Sequence, residues 1–109
     1  MADHVRYSYP DFLNRSKKTS YRQAVTARGK SLMKFLLENN LVLINPFKDD
    51  GEIKDDLVIR LSNLTQEGAE ILNEPVAKWW SFVEKGGDVN DISILEKSLS
   101  KIRKDSKGK

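Results

Sequence analysis

Hydrophobic positions recur at helical spacing in three stretches of the chain. In the first, Tyr21, Val25, Leu32 and Leu36 fall on one stripe, with Met33 and Leu37 beside them. That spacing predicts an amphipathic helix. Thr19 or Ser20 is its expected N-cap, because a short side-chain oxygen accepts an orphan backbone N–H. Asn39-Asn40 is its expected end, since asparagine tolerates the left-handed conformation. Gly29 lies on the apolar stripe, so close packing against a neighbour is expected there.

Two β-rich runs follow, Leu41-Val42-Leu43-Ile44 and Leu57-Val58-Ile59-Arg60-Leu61. Asp50-Gly51 between them is a turn signal, and together they predict a hairpin with a long charged tip. Thr65 is the expected cap of the next helix, with Glu67 in its first turn. Ala69, Leu72, Val76, Trp80 and Val83 make its apolar stripe. Pro75 has no N–H to give Ile71, so the helix kinks or restarts there, and Gly86-Gly87 ends it. Asp88 to Asp91 form a turn and cap before a last stripe of Ile92, Leu95, Leu99 and Ile102.

One hairpin cannot bury itself, so the helices must cover it. The expected fold is α+β and mostly helical, with three main helices around a two-stranded antiparallel hairpin. Residues 1–18 read as a leader loosely docked on the body through Tyr7, Tyr9, Phe12 and Leu13. Residues 19–104 read as a single domain, and 105–109 as a disordered basic tail. A chain of 109 residues fits one domain.

Charge divides the chain into segments. Residues 1–37 carry eight basic side chains against Asp3 and Asp11. The middle reverses this, most densely at Asp49, Asp50, Glu52, Asp55 and Asp56, and the end returns to lysine and arginine. A basic segment attracts nucleic-acid phosphates or an acidic protein surface, or is simply a solvated face. No apolar run approaches the roughly 20 residues of a membrane helix. No apolar stretch follows the start, so neither membrane insertion nor secretion is expected, and the expected location is the cytoplasm.

Catalytic chemistry finds little to work with. His4 is the single histidine and there is no cysteine, which removes disulfides, thiol nucleophiles and conventional triads. Asp49, Asp50, Gly51, Glu52, Asp55 and Asp56 do not fit calcium-loop spacing, because a turn ending at Gly51 puts Pro46 and Lys48 at ligand positions. Gly86-Gly87 lacks the spacing and the lysine-serine partner of a phosphate loop. No metal, cofactor or enzymatic activity is expected. Trp79-Trp80 points two ways: Trp80 lies on the core stripe, while Trp79 sits at its edge or outside. Both rings then cap a small core, or Trp79 anchors a partner.

A basic helix runs into Leu36-Leu37-Glu38-Asn39-Asn40-Leu41-Val42, a charged hairpin follows, and Leu61-Ser62-Asn63-Leu64-Thr65-Gln66-Glu67-Gly68-Ala69 leads into the next helix. Over residues 20–73 this resembles the recognition helix, wing and following helix start of bacterial winged-helix regulators of the MarR and PadR type. Those regulators place two helices before the recognition helix, whereas here about twenty residues precede Ser20. The resemblance implies double-stranded DNA as ligand, with Arg22, Arg28, Lys30 and Lys34 on the helix and Lys48 and Lys54 on the wing. It also implies a homodimer as one assembly state. The acidic wing supports a second expectation, a protein-binding module of the immunity, antitoxin-like or phage-encoded modulator kind. Its contact residues would be Trp79, Asp49, Asp50 and Glu52.

Overall fold

The computed structural model describes residues 4–107 and shows a mostly helical α+β chain with a two-stranded antiparallel sheet. Its elements in order are β1 (Val5–Ser8), α1 (Tyr9–Leu13), α2 (Thr19–Glu38), β2 (Val58–Arg60), α3 (Gln66–Ile71), α4 (Glu74–Glu84) and α5 (Ser93–Lys107). One 3₁₀ turn, Leu61–Asn63, joins β2 to the segment before α3.

The long helix α2 follows its apolar stripe. Val25, Leu32, Met33, Phe35 and Leu36 are buried on it. Its end is chemically defined. Asn40 takes a left-handed φ of 57°, so its N–H reaches Leu37 O at 3.2 Å and that of Leu41 reaches Leu36 O at 2.8 Å. This pair of bonds satisfies carbonyls that a helix end leaves open. Its start differs from the expected Thr19 or Ser20 cap. Lys18 caps it without a side-chain bond, because a lysine ammonium has no acceptor to offer; its carbonyl accepts Arg22 N–H at 3.1 Å. Gly29 is close-packed as its place on the stripe predicts: a Cβ there would lie 2.8 Å from Ile53 Cδ1.

The leader is an integral part of the fold. β1 pairs antiparallel with β2, with Tyr7 opposite Ile59 and Ser8 opposite Val58. Tyr7 and Tyr9 are buried in the core, and Ser8 Oγ caps α1 by accepting Asp11 N–H at 3.4 Å. The loosely docked leader is therefore corrected. β1 is only four residues long and its partner is about fifty residues away, so its alternation gives no local signal.

The same pairing overturns the two-strand hairpin. The strands of the sheet are separated by α1 and α2, and Leu41 to Ile44 do not form a strand. That segment runs beside residues 63–65 instead: Leu43 N–H donates to Asn63 O at 2.7 Å and Thr65 N–H to Leu41 O at 3.0 Å. Leu41 and Val42 are buried there, while Leu43 is 65% exposed. A smaller hairpin survives over residues 47–53, closed by the Phe47–Ile53 bridge and turning at Gly51, φ 84°.

Pro75 restarts the helix, in the first turn of α4. The break moves the buried face. Gly68, Ile71 and Trp79 are buried, while Leu72, Val76 and Trp80 are half-buried. One helical period cannot be carried across two helices with separate axes, which is why the single stripe misplaces the core. Thr65 caps α3 as expected, its Oγ1 accepting Gly68 N–H at 3.0 Å. α5 packs Leu95 and Leu99 against α3 and α4. Its backbone is helical through Lys107, so α5 reaches into the tail segment expected over 105–109, of which residues 108–109 lie outside the described residues. Among the described residues, no helix is long and apolar enough to cross a membrane.

Candidate interaction surfaces

The four basic residues that the resemblance assigns to α2 fall into different surroundings. Arg22 is exposed, and its guanidinium donates to Leu13 O at 2.9 Å, which ties α1 to α2. Lys34 is exposed. Lys30 forms an ion pair with Glu52 of the hairpin. Arg28 turns the other way, toward α4, where its guanidinium carbon lies 5.3 Å from the centre of the Trp80 ring. Its Nε is buried and finds no hydrogen-bond partner among the described residues. Arg28 is thus withdrawn from any phosphate-facing row, because α4 offers an aromatic face on that side of the helix.

The 47–53 hairpin and its flank carry the other charges. Asp49, Asp50, Glu52, Lys54, Asp55 and Asp56 are all exposed. Lys48 Nζ lies 3.8 Å from Asp55 Oδ1. The Asp50 carboxylate accepts Glu52 N–H at 3.0 Å, which fixes the turn so that Glu52 faces Lys30. The fold therefore sets an acidic hairpin directly on a basic helix. Among the described residues, no group of His, Asp or Glu side chains gathers in a way that could hold a metal ion.

The two tryptophans exchange their expected places. Trp79 is 0% exposed, and its indole N–H donates to Asp91 O at 3.0 Å. It is a core residue, and the expectation that it anchors a partner is corrected. Trp80 is the half-exposed one. It meets Trp79 edge-on at 6.2 Å and stacks on Phe12 of α1 at 5.1 Å.

That stack extends into a second surface, which the sequence reading did not assign. Phe12 also meets Tyr7, with centroids 5.4 Å apart, and the Arg15 guanidinium carbon sits 4.4 Å above the Phe12 ring. Between α1 and α4 these rings and Val76 line an open groove of about 440 Å³, with Arg6, Arg15 and Glu84 also at its wall. The available signal was local: Tyr7, Tyr9 and Phe12 are bracketed by Arg6 and Arg15 in a short segment. What the sequence could not supply was the position of α4 opposite them.

Comparison of the chain with known families, curated proteins and solved structures returns no match.

Proposed function

We propose that this chain is a non-catalytic binding protein of winged-helix-like build, and that its ligand is a protein surface in preference to duplex DNA. The winged-helix-like reading is supported by the succession of a basic helix, a hairpin that folds back on it, and a Thr65-capped helix. The preference for a protein rests on one observation, the Lys30–Glu52 ion pair. It places the acidic hairpin on the helix that would have to enter a DNA groove. From Lys48 to Asp56 the flank holds five carboxylates against two ammonium groups. A phosphate approaching α2 meets those carboxylates, and DNA affinity is dominated by phosphate contacts. The same charges steer a protein partner of complementary potential.

Titration against random-sequence duplex DNA at low and at physiological salt tests this reading. The expected result is no binding at either. The triple substitution Asp49→Lys, Asp50→Lys, Glu52→Lys should then create binding that weakens steeply with salt. Tight, salt-sensitive DNA binding by the unaltered protein would overturn the proposal. It would return the ligand to duplex DNA, with Arg22 and Lys34 as the exposed contacts on α2.

A further inference from the structure

Two aspects of the groove between α1 and α4 single it out from the rest of the surface. The first is its apolar wall. Tyr7, Phe12 and Trp80 form a continuous run of ring contacts at 5.4 and 5.1 Å, and Trp80 and Phe12 remain only half-buried. Aromatic surface left half-open in this way gains free energy when an apolar group covers it. The second is its charge. Arg6 and Arg15 stand at the groove and Arg28 lies against Trp80, while Glu84 is the one carboxylate among the lining residues.

We infer that this groove binds a short acidic peptide segment of a partner protein, an aromatic or aliphatic side chain covering Phe12 and Trp80 and adjacent carboxylates pairing with Arg15 and Arg6. This rests on the protein-partner reading above and gives that partner a chemistry. Guanidinium groups suit carboxylates because their planar forks give two parallel hydrogen bonds. Arg15 is already held over Phe12, 4.4 Å from the ring centre, so less side-chain freedom is lost when it pairs. The groove volume of about 440 Å³ lies within the range of small recognition pockets. Two occupants from the chain itself fit poorly. The C-terminal segment carries Lys97, Lys101, Arg103 and Lys104 and would meet like charge. The acidic hairpin of a second copy has the right charge, but its Ile53 is buried and its Phe47 packs against the core, so it offers no free anchor.

The test uses the full chain, immobilised, against a displayed library of random twelve-residue peptides. Enriched sequences are expected to combine an aromatic or aliphatic residue with neighbouring aspartate or glutamate. A labelled synthetic copy of the best sequence then gives affinities by fluorescence anisotropy. Arg15→Glu should weaken binding by about tenfold or more, and Arg6→Glu by less. Lys101→Glu, on exposed α5 surface, should leave it unchanged. Arg15 is exposed, so its substitution spares the core; Phe12→Ser is the second variant, read only where its far-ultraviolet circular dichroism matches the parent.

Failure to enrich acidic peptides overturns the inference, as does binding indifferent to Arg15→Glu. If enriched peptides instead lose affinity on substitution of Asp49 and Asp50, the groove is wrong and the protein-partner reading stands. If no peptide enriches and duplex DNA binds, both fall. A concentration-dependent dimer in sedimentation that Arg15→Glu dissolves would place a second copy in the groove and also overturn the peptide.

Discussion

Two buried aromatic side chains with polar ends close the two ends of one run of rings, Trp79–Trp80–Phe12–Tyr7, and the molecule treats them differently. On the C-terminal side, Trp79 is fully enclosed and its indole N–H meets Asp91 O at 3.0 Å. On the N-terminal side, Tyr7 is 5% exposed and its hydroxyl finds no partner among the described residues. The glycines repeat the contrast. Gly68 presses against the backbone of Leu41, where a Cβ would come within 2.2 Å of the carbonyl oxygen. Gly29 presses only against side-chain ends, Ile53 Cδ1 and the Tyr7 hydroxyl. The C-terminal side is thus closed by satisfied polar groups and backbone contact. The side where the leader and hairpin meet α2 is held by the β1–β2 pairing and the Tyr9–Thr26 hydroxyl bond, and its other contacts are side-chain tips, an exposed ion pair and an orphan hydroxyl. Those other contacts can adjust where the backbone contact at Gly68 cannot.

The largest expected effect separates the two tryptophans. Trp79→Ala should lower stability by about 3–5 kcal/mol, because it empties a fully buried ring volume. It also strips Asp91 O of its donor. With domain stabilities of about 5–15 kcal/mol, that removes much of the cooperative unfolding transition. Trp80→Ala should cost about 1–2 kcal/mol, since its ring is only half-buried. Urea unfolding followed by circular dichroism gives both values. Equal losses at the two positions would show that the α1–α4 contact is core, and would erase the contrast.

The glycines give the next effect. Alanine at either position gains helix propensity of about 1 kcal/mol. At Gly68 the added Cβ meets a backbone oxygen that already accepts Thr65 N–H, so the chain itself must move. The expected net loss is about 2–3 kcal/mol. At Gly29 the nearest atoms are side-chain ends, Ile53 Cδ1 and the Tyr7 hydroxyl, which shift at less cost than backbone, so Gly29→Ala should lose only about 1 kcal/mol. Midpoints compared at an unchanged denaturant slope measure the pair. A Gly29→Ala variant as damaged as Gly68→Ala would mean that the leader side is as rigid as the other.

What could be read from the sequence follows how local each feature is. α2 and α5 were legible because their apolar stripes run uninterrupted for several turns, and so were the Asn40 end and the Thr65 cap, each a matter of a few neighbouring residues. The leader strand was not, because four residues carry too little alternation and its partner lies beyond two helices. Trp79 and Trp80 were exchanged because one period was run through Pro75, where the helix axis changes. The candidate surfaces suffered the same way. The hairpin acids and Lys34 are exposed as expected, but Arg28 and Arg15 acquire their roles from rings on other elements. Residue chemistry was visible; which faces meet was not, because that depends on packing among elements distant in sequence.

Tyr7→Phe is the smallest effect and the sharpest in sign. A buried hydroxyl without a partner costs about 1–3 kcal/mol, so deleting it should leave stability unchanged or raise it by about 1 kcal/mol. Burial, and then the neighbouring Tyr9, push the Tyr7 phenol well above the ordinary tyrosine range. The folded state therefore keeps the proton while the unfolded chain gives it up near its ordinary pKa of about 10. Tyr7 contributes its full stability below that pH and loses it as pH rises further, because only the unfolded state gains by ionising. Stability curves of the parent and Tyr7→Phe should accordingly run parallel at neutral pH and diverge above about pH 10, the parent falling faster. The substitution also removes one of the two atoms that crowd a Cβ at Gly29. The double variant with Gly29→Ala should thus be more stable than the two single effects sum to, a coupling that a double-mutant cycle reads directly. A clear loss of stability in Tyr7→Phe would show that the hydroxyl is bonded after all, and the two sides of the molecule would then be closed by the same means.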